Sequence, residues 1–180
     1  DSYNLWISYL GSANACKLYQ VSIFNPDSIQ FDVDVTASKI VRAIKTGSSL
    51  YACFDDSVNF IGKFNASNPS GVQSYQIIPV GETEAPVDIA TDGTYLYVLI
   101  PGAISGEVAK VYKYNTSLSL QSTIPLDESA GDINNATGII SDGAGNLWIT
   151  TNESPAKLVK LNIASETYEM WYITDESGYN

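Results

Sequence analysis

The chain contains no histidine. That absence removes the commonest general base, the commonest transition-metal ligand and every histidine-based nucleophilic triad. Basic residues are also scarce. Nine lysines and arginines stand against twenty acidic residues, a formal net charge of -11. Nucleic-acid binding rests on clustered Lys and Arg, so nucleic acid is excluded as a partner. No stretch approaches the ~20 consecutive apolar residues of a membrane span, and membrane insertion is not expected. Segments of helical period are missing as well. Pro, Gly and Asn interrupt the chain roughly every 8 to 12 residues, and β-branched and aromatic residues dominate between them.

What is present describes a folded protein. Hydrophobic residues make up 44% of the 180 residues, too many for a disordered tail and enough for a sizeable core. Charged residues are only 16%, so the acidity comes from few bases rather than from a dense carboxylate coat. Ser, Thr, Asn and Tyr supply the remaining polarity, a composition that suits an extracellular surface. Four acceptable glycosylation sequons occur, at Asn65, Asn115, Asn135 and Asn152, all in polar, turn-like stretches. A secreted or cell-surface glycoprotein is therefore expected.

Internal repetition decides the architecture. The segments 41–53, 87–99 and 138–150 align. Each is a short apolar run, a turn at Gly47, Gly93 or Gly143, and then a Leu-aromatic pair. Glycine permits the positive φ that a tight hairpin requires. The pairs are Leu50-Tyr51, Leu96-Tyr97 and Leu147-Trp148, and Leu5-Trp6 is a fourth copy. A second recurring element follows each pair. Asn59–Asn65, Ala109–Asn115 and Ala156–Asn162 place lysine among apolar residues and close on an asparagine suited to a turn. A looser copy begins at Cys16 and closes on Asn25, and last strands are expected over 30–35, 72–78, 120–124 and 168–173. The period near 45 residues with four short strands per unit describes β-propeller blades.

The run from Gly138 through Asp142 and Trp148 to Thr150, followed by Ala156–Asn162, resembles a blade of the streptogramin lyase-like propellers. NHL-type propellers have similar blades. The resemblance is best over 136–173, fair over 86–124 and weak before residue 80. It implies an all-β fold of four-stranded antiparallel blades, expected at about 1–37, 38–80, 81–125 and 126–174. The first unit supplies only its last three strands, which makes fifteen strands in all. A unit cut in this way leads us to expect a portion of a longer propeller. A small ring or array whose unpaired edges meet another copy is the other reading.

In propeller blades the positions of Cys16 and Cys53 adjoin equivalent loops on one face. A disulfide between them is expected, closing a loop of roughly 37 residues and contributing about 4 kcal/mol in the chain-entropy view. The resembling enzymes open a cyclic ester by elimination with a histidine base and a divalent metal, and no residue here can take the histidine role. Asp92 and Asp142 precede the turn glycines at equivalent places, where bonding to their own turns outweighs a repeated metal or substrate site. Asp55 and Asp56 are the better candidates for a hard cation such as calcium, although a solvated loop pair is the commoner arrangement. No cofactor is otherwise expected. Trp6, Tyr51, Tyr97 and Trp148 are read as a packing layer between blades in preference to a carbohydrate-binding stack. Trp171-Tyr172 and Tyr19 are candidates for a surface or subunit contact.

The expectation is thus a non-catalytic, secreted or cell-surface propeller acting in structure, adhesion or binding. Its partners would be proteins, glycans or copies of itself joined through strand edges. A metal-dependent lyase- or lactonase-like enzyme with its site partly elsewhere is the alternative, and a lectin is a third.

Overall fold

The computed structural model describes residues 4–10, 15–22, 25–36, 39–67, 74–79, 82–104, 107–127 and 132–173; before residue 39 it describes strands and their pairing. Every regular element among them is a β-strand. They are β1 (Asn4–Leu10), β2 (Ala15–Ser22), β3 (Asn25–Thr36), β4 (Lys39–Thr46), β5 (Ser49–Asp55), β6 (Phe60–Asn65) and β7 (Ser74–Ile77). They continue as β8 (Asp88–Thr91), β9 (Tyr95–Ile100), β10 (Lys110–Asn115), β11 (Leu120–Pro125), β12 (Ala136–Ser141), β13 (Asn146–Thr151), β14 (Ala156–Asn162) and β15 (Tyr168–Ile173).

The strands form one three-stranded sheet, β1-β2-β3, and three four-stranded sheets, β4 to β7, β8 to β11 and β12 to β15. Within each sheet, strands consecutive in sequence pair antiparallel. These are propeller blades, the first with three strands among the described residues. The chain divides into two compact units, Asp1–Pro86 with the first two sheets and Val87–Asn180 with the last two.

The repeated Leu-aromatic pair works through the two-residue period of a strand, which sends neighbours to opposite faces. Leu50, Leu96 and Leu147 are fully buried and pair across to Phe64, Tyr114 and Leu161. Leu5 occupies the same register place in β1, opposite Val21. In the second unit, the Tyr97 side of the third sheet packs on the Leu147 side of the fourth. Ala90, Tyr97, Leu99, Val111 and Ile124 meet Ile139, Leu147, Ile149, Val159 and Leu161 in one cluster. In the first unit a smaller cluster holds Ile40, Leu50, Ala52, Phe54 and Phe64, with the Phe54 and Phe60 rings stacked at 4.3 Å.

The turn glycines adopt the expected conformation. Gly47, Gly93 and Gly143 have φ of 57°, 92° and 69°, with open space where a Cβ would stand. Glycine is needed there for its backbone freedom rather than for its small size. One boundary differs from expectation. β3 starts at Asn25 rather than near residue 30, and two register shifts opposite Gln20–Ser22 absorb the extra length. Pro26 is tolerated because β3 lies at the sheet edge, where a missing N–H costs no ladder bond.

Candidate functional site

The two repeated aspartates are built into their hairpins. Asp92 Oδ1 accepts the N–H groups of Thr94 and Tyr95 at 2.8 and 2.7 Å, and its Oδ2 accepts the Tyr97 hydroxyl at 2.7 Å. Asp142 Oδ1 accepts the N–H groups of Ala144 and Asn146 at 2.7 and 3.0 Å, and Oδ2 accepts Asn146 Nδ2 at 2.8 Å. Such bonds favour the charged carboxylate. The Asn146 amide, followed by the two backbone N–H groups, brings Asp142 down to about 2. For Asp92, partial burial opposes the shift, but the Tyr95 N–H, the Tyr97 hydroxyl and the Thr94 N–H together still lower it. Burial, with the Asp92 hydrogen bond next, pushes the Tyr97 phenol well up. Both aspartates are turn-holding groups, as their place before glycine implied.

The closing asparagines act in the same way. Asn65 Oδ1 accepts the Ser67 N–H, Asn115 Oδ1 those of Ser117 and Ser119, and Asn162 Oδ1 those of Ala164 and Ser165. Two of the sequon asparagines, Asn65 and Asn115, are therefore half-buried turn residues, whereas Asn135 and Asn152 are exposed. The latter two are adjacent, the Asn152 N–H donating to the Asn135 carbonyl at 2.8 Å.

Asp55 ends β5 beside Lys39 at 3.9 Å, and Asp56 Oδ1 accepts the Ser57 N–H at 2.7 Å. Among the described residues no three acidic or cysteine side chains converge on one point. Cys53 is buried in β5, its thiol 3.7 Å from the Arg42 carbonyl. Cys16 lies near the start of β2, but its side chain, like those of Trp6 and Tyr19, lies outside the described residues.

Two charged groups escaped the sequence reading. Asp88 is buried at the start of β8 and joins two blades, its Oδ2 accepting the Ile139 N–H of β12 at 3.0 Å. Lys157 stands in a strand that alternates lysine with apolar residues, the period of a half-exposed strand, yet it is buried. Its ammonium pairs with Glu153 and donates to the Asp132 carbonyl at 2.7 Å, while Glu153 also accepts the Asn134 N–H. This network ties the segment before β12 to the β13–β14 hairpin. The partners lie 19 to 51 residues apart or off the local strand pattern, and no spacing signals them.

The remaining candidate is a surface. On the face of the fourth sheet turned away from the third, Ile140 is 65% exposed, Trp171 45% and Ile173 54%. Trp148 is half-buried there and stacks on Trp171 at 5.9 Å, with the Lys160 ammonium 5.9 Å from the Trp148 ring. A shallow concavity of about 210 Å³ adjoins them, lined by Asn146, Lys160, Asn162, Ser165 and Glu169 among others. This face offers apolar area, π surfaces and a few polar groups, which is recognition chemistry rather than bond chemistry.

No family model matches the chain, and no curated protein sequence matches it. Solved structures do. A protein of unknown function from Bacteroides caccae superposes with a TM-score of 0.66 at 12% identity, over 98% of this chain and 60% of that one. A eukaryotic initiation factor gives 0.53 at 13% identity, over 94% of this chain and 40% of the other. The structure of U3-55K gives 0.53 at 15%, over 74% and 42%. The chain thus spans less than two thirds of the length of each. At these identities the likeness concerns the fold alone. The class so defined is the β-propeller.

Proposed function

We propose that the chain is a non-catalytic binding or structural module, a portion of a single propeller that acts by presenting surface to a protein or glycan partner. A secreted or cell-surface location, in a surface layer, filament or adhesion apparatus, belongs to this proposal. The observation that carries it is the uncovered apolar and aromatic face of β12–β15, since contiguous exposed patches of this kind mark interaction sites. The repeated carboxylates lend support, because Asp92 and Asp142 have their oxygens engaged by their own turns. The elimination chemistry implied by the streptogramin lyase resemblance requires a histidine base, which this chain lacks.

Metal analysis of the purified protein tests the reading. Well under one equivalent of metal is expected, the Asp55–Asp56 pair included. One firmly bound calcium, magnesium or zinc per chain would favour the lyase- or lactonase-like enzyme instead. Glycan-array binding that disappears in Trp171→Ala would make the module a lectin. The secretory part has its own check. Expression through a secretory pathway should leave the Cys16–Cys53 disulfide intact in unreduced mass spectra and place glycans on Asn135 and Asn152 first. Alkylation of both thiols without reductant removes the disulfide from the proposal.

A further inference from the structure

We propose that β15 is a pairing edge: it adds antiparallel to β15 of a second copy of this chain, so that two fourth sheets run on as one. The inference concerns the edge of that sheet rather than its face, and it does not rest on the reading of the face as a binding surface.

An unpaired strand edge offers a row of free N–H and C=O groups to any extended chain, and proteins blunt it with proline, charge or shortness. The last strand of each sheet is such an edge among the described residues. Stacking of blades leaves it so, because blades meet by their faces: the fourth sheet packs on the third, and β11 is still an edge. Three of the four edges are blunted. β3 carries Pro26 with Asp27, Asp32 and Asp34. β7 has only four residues. β11 ends on Pro125 after the polar Gln121, Ser122 and Thr123. β15 reads Tyr-Glu-Met-Trp-Tyr-Ile, with no proline and one charge. Its Trp171, Tyr172 and Ile173 are 45%, 56% and 54% exposed, and as successive residues they point to both faces. Tyr172 shares the side of Lys157, Val159 and Leu161, the side that the third sheet covers, so its exposure belongs to the rim of the sheet and not to an open face.

The hairpin fixes which groups of β15 are free. The Asn162 N–H donates to the Thr167 carbonyl at 2.8 Å, and bonded and non-bonded pairs alternate along an antiparallel ladder. Glu169, Trp171 and Ile173, opposite Lys160, Leu158 and Ala156, therefore bond β14, while Tyr168, Met170 and Tyr172 turn their N–H and C=O groups to the edge. A two-fold axis at Met170 engages all of these groups. Tyr168 then pairs with Tyr172 of the second copy in both directions, and Met170 with its counterpart. Cross-strand aromatic pairs favour that arrangement. It also sets Glu169, the one charge of the strand, across from Trp171 rather than from the other Glu169, so two chains of -11 meet where each is locally almost neutral. β15 is in this sense its own complement. The contact is isologous and closed, the same patch on both copies, and it is β-augmentation in which the added strand is the chain's own.

Sedimentation of the 180-residue chain in reductant over a concentration series, with residue-resolved amide exchange by NMR, tests this. The mass should rise to that of a dimer and no further, more readily as salt screens the net charge. The amides of Tyr168, Met170 and Tyr172 should gain protection as the dimer forms, a readout that needs no variant. Tyr172→Pro removes an N–H that serves no bond to β14, and Tyr172→Lys puts a charge at an exposed position of the edge. Each should weaken dimerisation by at least about tenfold with circular dichroism unchanged. Ile140→Glu, in β12 at the far edge of the same sheet, should leave the dimer as it is. A chain that stays monomeric throughout overturns the proposal. So does association that survives both Tyr172 substitutions, that leaves the three amides unprotected, or that is lost in Ile140→Glu, the last of which moves the contact to the face. Metal analysis and glycan binding are indifferent to the edge, so failure here and failure of the binding-module reading are told apart.

Discussion

At the scale of single residues, the carboxylates are the groups whose protonation matters. Asp142 stands near 2, below its ordinary 3.8, and Asp92 is also lowered. A group lowered in the folded state contributes stability that is complete above its unfolded value and is lost as pH falls through the folded one. Denaturant titrations should therefore show stability declining between about pH 4 and pH 2. The Asp92→Asn/Asp142→Asn double variant should be less stable at neutral pH and show a shallower acid decline. An unchanged slope would remove the turn role. Tyr114 makes the opposite case. It is fully buried in β10, and its hydroxyl has no hydrogen-bond partner among the described residues. An unpaired buried hydroxyl is costly, so Tyr114→Phe should be neutral or stabilise by up to about 1 kcal/mol in chemical unfolding. The aspartates were legible from the sequence because their partners lie two to five residues away. Nothing in the local pattern distinguishes the Tyr114 hydroxyl from that of Tyr97, which finds Asp92.

At the scale of elements, hairpins and blades depend on different physics. A hairpin turn rests on local backbone preference. Gly93 has φ of 92° with open space around it, so Gly93→Ala should cost about 1–2 kcal/mol through the strained conformation, without any steric clash. Gly93→Asn should cost less, since Asn tolerates this region better, and thermal melts of the two variants would show the difference. The tie between the segment before β12 and the β13–β14 hairpin rests instead on a buried ion pair. Removing one partner strands the other, so Lys157→Ala should lose roughly 3 kcal/mol. The paired replacement Lys157→Met with Glu153→Leu should recover much of it. A double-mutant cycle with no coupling would contradict this account. The strand pattern around Lys157 reads as half-exposed. It is buried because the hairpin that carries Glu153 and the Asp132 carbonyl converge on its ammonium.

At the scale of the whole molecule, the charge of -11 opposes compaction by self-repulsion. Raising monovalent salt from tens to hundreds of millimolar should raise the melting temperature of the chain, and a fall would mean that specific ion pairs outweigh the net charge.

The sequence by itself determined the strands, the turns that join them and the alternation of leucine and aromatic along each repeat. It also determined that histidine chemistry is impossible here. These follow from local rules: the two-residue period of a strand, the positive φ open to glycine, and short polar side chains that bond their own backbone. The tertiary structure decided which faces are covered. Tyr97 and Trp148 hold the same place in their repeats, yet one is sealed and the other half open. It also decided that Asp88 bridges two blades and that Lys157 is buried. Each of these outcomes depends on what lies across from a residue in space. Burial and long-range hydrogen bonds are properties of that neighbour, which no pattern along the strand contains.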